Sequence, residues 1–188
     1  MPRPPRRDIV APDSIFHVYA RGNDRMTLFK RPEDYRSYLA DIAELKTPHG
    51  VLLYHYVLMP NHIHLVLRIL EAGLSDFMQS LQNRFAKRFC RDNGFAGHVW
   101  QGRFKSKPID NDGYLLACGN YVEMNPVRSG LVGDPEQWPH SSCRFYTHGR
   151  PDKLVDMDPL YPTLARTAAQ RQKAYRQFIR HSVPVSGT

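Results

Sequence analysis

Carboxylates and cysteines are the side chains this 188-residue chain holds back. Asp and Glu number 18 against 26 Lys and Arg, a formal charge of +8, and from Leu160 to the last residue there is none. Such a balance makes a polyanion the natural partner. The three cysteines, Cys90, Cys118 and Cys143, lie far apart with no CxxC pair, which excludes a disulfide framework and a cysteine-rich zinc site. Long apolar runs are missing as well. Val51–Met59 and Ile63–Leu67 fall far short of a bilayer span, and the opening Met1–Pro2–Arg3–Pro4–Pro5–Arg6–Arg7 has no apolar segment behind it. Neither a membrane helix nor an export signal is legible, and the expected location is the cytoplasm, in association with the nucleoid.

What is present is ordinary globular material: 41% hydrophobic and 23% charged residues, enough for one domain with its own core. Residues 1–14, with Pro2, Pro4, Pro5, Pro12 and three arginines, predict a basic extended arm. From Ile15 the chain alternates, Phe16, Val18 and Ala20 against His17, Tyr19 and Arg21, the period of a half-buried strand that Gly22–Asn23–Asp24 stops. After Pro32, Tyr35, Tyr38, Leu39, Ile42 and Leu45 recur at helical spacing until Pro48–His49–Gly50. Val51–Met59, the turn Pro60–Asn61 and His62–Arg68 read as a hairpin. A second amphipathic helix carries Leu74, Phe77, Met78, Leu81, Phe85 and Phe89 and ends at Asp92–Asn93–Gly94. A strand is expected over Val99–Lys105. A third helix, capped by Asp110, Asn111 or Asp112, runs through Tyr114, Leu115, Cys118 and Val122 towards Pro126.

The order β-α-β-β-α-β is that of the split βαβ, ferredoxin-like α+β fold, an antiparallel sheet with helices on one face. A catalytic domain over residues 15–132 is followed by a segment, 133–188, that reads as irregular from Gly130 to Pro162 and then as a basic helix near Leu164–Arg180. No internal repeat or low-complexity tract interrupts it.

Alternation also sorts the chemistry. Ile63, Leu65 and Leu67 share one face of their strand, so His62 and His64 share the other, within reach of a common cation. On the third helix, Tyr121 and Asn125 stand one turn apart on a common face. A phenol and a carboxamide there suit a nucleophile and a metal ligand, although a tyrosine on a helix stripe also serves packing.

Met59–Pro60–Asn61–His62–Ile63–His64–Leu65–Val66, followed by Tyr121–Val122–Glu123–Met124–Asn125–Pro126–Val127–Arg128–Ser129–Gly130–Leu131–Val132, resembles the REP-associated tyrosine transposases, a branch of the single-tyrosine HUH transposase superfamily. His17–Val18–Tyr19–Ala20–Arg21–Gly22–Asn23, Trp100–Gln101–Gly102–Arg103–Phe104–Lys105–Ser106 and Trp138–Pro139–His140–Ser141–Ser142 match in the same order, so the resemblance covers roughly Ile15–Tyr146. It implies a divalent cation, Mg²⁺ or Mn²⁺, held by His62 and His64 and completed by Asn125. It further implies Tyr121 as the nucleophile, a 5′-phosphotyrosine intermediate and a substrate of single-stranded DNA with a short palindromic hairpin. Asn125 precedes Pro126, which disfavours α geometry at the ligand position.

Between Arg84 and Lys107, seven cations interleave with five aromatic residues and meet only Asp92, the composition of a single-strand channel. The expected DNA contacts are Arg84, Arg88, Arg103 and Lys105 here, Arg21, Asn23, Gln101 and Arg128 in the matched motifs, and Arg176 on the last helix. Two rivals share these features: a non-catalytic binding module of RNA-recognition-like fold, and a metallonuclease using water, with Tyr121 only packing. The protein is expected as monomer or homodimer, with no membrane partner.

Overall fold

The computed structural model describes residues 12–71 and 73–181. Most of the arm expected over residues 1–14, including Arg3, Arg6 and Arg7, lies outside them. Four strands, β1 (Ser14–Arg21), β2 (Val51–Met59), β3 (His62–Ile69) and β4 (Lys105–Ile109), form one sheet of order β2-β3-β1-β4. Each adjacent pair is antiparallel. Helices α1 (Pro32–Lys46) and α2 (Leu74–Asn93) cover one face.

Local chemistry sets their ends. Pro32 opens α1, where its missing N–H costs nothing, and the Asp34 carboxylate accepts from the Lys30 and Arg31 amides at 2.9 Å each. Gly94 closes α2 in a left-handed conformation, φ 57°, open to glycine without a Cβ penalty. The expected stripes then meet the sheet: Tyr38 and Ile42 of α1 and Phe77, Met78 and Leu81 of α2 are fully buried with Leu53, Ile63, Leu65 and Leu67. Each such side chain contributes about 1.5–3 kcal/mol of burial.

The second face is partly covered too. Helix α3 (Asp112–Glu123), capped by Asn111 through Tyr114 N at 2.9 Å, lays Leu115, Cys118 and Val122 on Tyr54, Val57, Met59, Val66 and Ile109. Met124 ends it, and Asn125–Pro126 begins a short α4 (Asn125–Arg128), the break the pre-proline position predicts. A bulge in β2 between Leu53 and His55 puts Tyr54 and His55 on this same face.

Two expectations are corrected. The strand assigned to Val99–Lys105 lies at Lys105–Ile109; residues 99–104 approach the sheet only through a Trp100–Gly22 bridge before a turn at Gly102, φ 70°. Pro108 and two lysines hid it, and β4 tolerates them because it is an edge strand. The region read as irregular contains α5 (Cys143–His148), and the last helix, α6, spans Ala168–His181. These pack as a satellite cluster of Cys143, Tyr146, Tyr161, Tyr175 and Ile179. The chain leading into it covers the outer edge of β2, with Leu58 N donating to His140 O at 2.9 Å, Ser142 N to Tyr56 O at 3.0 Å and Asp156 N to Leu53 O at 2.8 Å.

Candidate active site

The antiparallel register writes the site in rows. Arg21 of β1 faces His62 of β3; Tyr19 lies between His64 and Lys105; His17 lies between Val66 and Lys107. Period-two alternation turns all these chemical side chains to the face that α3 partly covers. Beside α3 opens a cleft of about 920 Å³ lined by His17, Tyr19, Arg21, His62, His64, Gln101, Arg103, Lys105, Lys107, Tyr114, Cys118, Tyr121 and Asn125.

Within it, the His62 and His64 rings are 5.1 Å apart between centroids, nearly perpendicular. Tyr121 stands edge-on to both His64 and His17, at 5.8 Å from each. The phenol and His64, one of the imidazole pair, therefore meet within a single chain.

The ring nitrogens have defined partners. His62 Nδ1 lies 2.6 Å from Asn61 Oδ1, an acceptor only, so Nδ1 carries the proton and Nε2 keeps its lone pair. His64 Nδ1 lies 2.9 Å from His17 Nε2; with His64 donating, its Nε2 is likewise left as a base. Burial lowers the pKa of His62 to about 4, helped by Arg21, and that of His17 to about 4, helped by Lys107. His64 is pushed well below its ordinary value by burial and then by His17, His62 and Arg21. All three are neutral at pH 7, the form that ligates metals. Asn125, buried on the cleft wall, spends its amide nitrogen on Tyr121 O at 2.8 Å and Val122 O at 3.2 Å, which leaves Oδ1 as its donor atom.

Comparison with known proteins decides the family. Residues 11–125 match the family model described as "Transposase IS200 like". The chain belongs to that family. Among curated relatives of this transposase is a "Putative REP-associated tyrosine transposase" of Haemophilus influenzae, 28% identical over 126 residues, 57% of this chain and 72% of that one. Another is the "REP-associated tyrosine transposase" of Escherichia coli, 31% identical over 87 residues, 46% of this chain and 51% of that one. A solved REP-associated tyrosine transposase bound to a REP hairpin shares the fold, with a TM-score of 0.61 and 22% identity over 79% of this chain and 88% of that one. The resemblance carried by the motifs and the ferredoxin-like α+β architecture both hold, and the protein is a transposase. No helix among the described residues is long and apolar enough to cross a membrane.

Of the expected DNA contacts, Arg21, Gln101, Arg103 and Lys105 line the cleft of this transposase. Arg128 is at its rim, its guanidinium carbon 4.8 Å from the Tyr121 ring centre. Asn23 lies just beyond the end of β1, its backbone N–H on Val99 O at 2.8 Å. Arg84 and Arg88 are on α2, on the other side of the sheet, paired with carboxylates of α1: Arg84 with Glu44 at 2.6 Å, Arg88 with Asp41. Arg176 is also outside the cleft, its guanidinium donating to Thr147 O.

The sequence reading missed His17, Tyr19 and Lys107 as cleft residues. His17 and Tyr19 carry the same alternation signal as His62 and His64. What the sequence withheld was that β1 is the neighbour of β3, so that the two faces are one.

Proposed function

We propose that this transposase cleaves and rejoins single-stranded DNA beside a hairpin, with Tyr121 as the nucleophile. The observation that carries the reading is Tyr121 edge-on at 5.8 Å to His64, one of the imidazole pair, and to His17 beside it. The phenolic oxygen attacks the scissile phosphorus as its proton leaves. The bond from phosphorus to the 3′ oxygen breaks, that oxygen takes up a proton, and the 5′ phosphate stays on Tyr121. The ester conserves the bond, so attack by a second 3′-hydroxyl reseals a strand without ATP.

The donor set fits a divalent cation: His62 with Nε2 unprotonated, His64 likewise when its Nδ1 donates to His17, and Oδ1 of Asn125. Among the described residues no group of three or more His, Cys, Asp or Glu is placed to hold a metal, so an amide oxygen is the third donor this site offers. His62, His64 and Asn125 would hold Mg²⁺ or Mn²⁺, which supplies Lewis-acid polarisation of the phosphate. Asn61 and His17 orient the two imidazoles. Arg21, Arg103, Lys105 and Lys107 neutralise the strand. The REP hairpin bound to the transposase of like fold supports a hairpin partner here. With phenol and imidazoles in one chain, a monomer suffices for cleavage.

The test is a labelled oligonucleotide, a hairpin with a single-stranded flank, incubated with protein and Mn²⁺ and run on a denaturing gel. A covalent protein–DNA adduct is expected from the native chain and none from Tyr121→Phe. An adduct from Tyr121→Phe would remove the nucleophile assignment, and binding without any adduct would leave the non-catalytic module.

A further inference from the structure

A second group of ionisable side chains lies behind the tyrosine helix, fully buried and unused by the chemistry above. His55, on the bulge of β2, places Nδ1 3.0 Å from Glu123 Oε1 and Nε2 3.0 Å from Asp158 Oδ2. All three side chains are inaccessible to solvent. Both ring nitrogens face carboxylate oxygens, so both act as donors and the ring is an imidazolium. Glu123 takes two more bonds, from Ser142 Oγ at 2.6 Å and from Tyr175 Oη at 2.9 Å. Asp158 Oδ1 accepts from Leu160 N at 2.7 Å.

The group ties three parts of the chain together. Glu123 is the last residue of α3, two residues after Tyr121; His55 belongs to the sheet; Ser142, Asp158 and Tyr175 come from the segment after residue 132. A helix turns about 100° per residue, so Glu123 and Tyr121 project to nearly opposite sides of α3. Rotating the helix about its axis therefore moves both. With Cα at roughly 2.3 Å from the axis and the phenolic oxygen some 6–7 Å further out, a turn of about 10° carries that oxygen roughly 1.5 Å. Misplacement on this scale costs a reaction about a hundredfold. The helix is also pressed on this point: a Cβ at Gly119 would fall 2.6 Å from His55 Nε2.

From this we infer that His55 and Tyr175, acting through Glu123, are positioning residues for Tyr121, and that the Ser142, Asp158 and Tyr175 contacts supplied from beyond residue 132 are part of the active-site scaffold. The inference rests on Tyr121 being the nucleophile. Apolar packing of Leu115, Cys118 and Val122 holds α3 against the sheet, and the directional bonds at Glu123 add a constraint on its rotation.

The experiment compares two hydroxyl deletions in the full chain. Tyr175→Phe removes a bond to Glu123. Tyr161→Phe removes a bond of the same length class, Tyr161 Oη to Tyr146 O at 2.8 Å, in the same aromatic cluster but not to Glu123. Adduct formation is timed at saturating oligonucleotide, and oligonucleotide affinity and thermal midpoint are measured alongside. Tyr175→Phe is expected to slow the adduct step about tenfold with affinity within twofold, and Tyr161→Phe to leave the rate unchanged at a similar thermal midpoint. His55→Gln, assayed at a temperature where it is folded, should slow the step at least as much as Tyr175→Phe. Equal rates in Tyr175→Phe and the native chain, or equal slowing in both tyrosine variants, would overturn the inference while leaving the nucleophile intact. A native chain that forms no adduct overturns the cleavage reading and the inference together.

Discussion

The guanidinium of Arg128 lies over the ring of Tyr121, 4.8 Å from its centre, while Arg128 Nη1 donates to the Tyr121 carbonyl at 3.1 Å. One side chain thus holds both the ring and the backbone of the same residue, across the break between α3 and α4. A cation over an aromatic face contributes roughly 0.5–2 kcal/mol, more as the site is desolvated. Arg128→Ala should slow adduct formation at saturating DNA by about tenfold, equivalent to ~1.4 kcal/mol of barrier. Arg128→Lys should recover little, because an ammonium lacks the planar fork that stacks and donates together. A rate equal to native in Arg128→Ala, with affinity alone reduced, would make Arg128 a plain phosphate contact.

The cations of the cleft and those of α2 separate in a salt titration. Each phosphate contact to a single strand contributes about −0.7 to the slope of log K against log salt. Arg103→Ala and Lys105→Ala should each flatten the slope by roughly that amount. Arg84→Ala should leave it as it is, since Arg84 is occupied by Glu44 across the helix pair. A flattened slope in Arg84→Ala would place DNA on the helical face instead.

Removing the cation should separate binding from chemistry. In EDTA, adduct formation is expected to stop while oligonucleotide affinity stays within a few fold, and His64→Ala should behave in the same way. Undiminished cutting in chelator would eliminate the metal from the mechanism.

His55 makes stability depend on pH in a definite sense. Burial alone pushes its pKa down, but hydrogen bonds to Asp158 and Glu123 outweigh burial and raise it to about 9. The charged groups facing it are Glu123 of α3 and Asp158; the Tyr146 and Tyr175 rings of α5 and α6 pack beside it. A value raised above the unfolded one, near 6.5, adds stability that is complete below pH 6.5 and drains away as pH rises through 9. Denaturant unfolding should show a loss of the order of 3 kcal/mol across that window. The loss should be absent in a folded His55→Gln; a native profile flat from pH 6.5 to 9 would mean a neutral ring.

Strands and helices whose contacts are local were legible. The Phe16–Ala20 alternation, the hairpin around Pro60–Asn61 and the two amphipathic stripes each carry their period in the chain, and Asn111 carries its capping oxygen. The imidazole pair was legible for the same reason. What escaped depends on partners distant in sequence. Lys105–Ile109 becomes a strand only because β1 lends it hydrogen bonds, and His17 joins the site only because β1 lies beside β3. That Arg84 and Arg88, expected as DNA contacts, pair with Asp41 and Glu44 of another helix was equally out of sight in the chain. Nothing near His55 in sequence announces Glu123 or Asp158.

The contact between Gly119 and the imidazole of His55 constrains the order in which this sequence can change. A methyl group at position 119 would stand 2.6–2.8 Å from three ring atoms, so even alanine is barred while the imidazole remains. Were position 55 first to become small, 119 would be released, but Glu123 and Asp158 would be stranded without their counter-charge. Drift in this part of the molecule must therefore proceed through linked replacements, at 55 and its two carboxylates before 119, and a library that varies 119 alone should return only glycine.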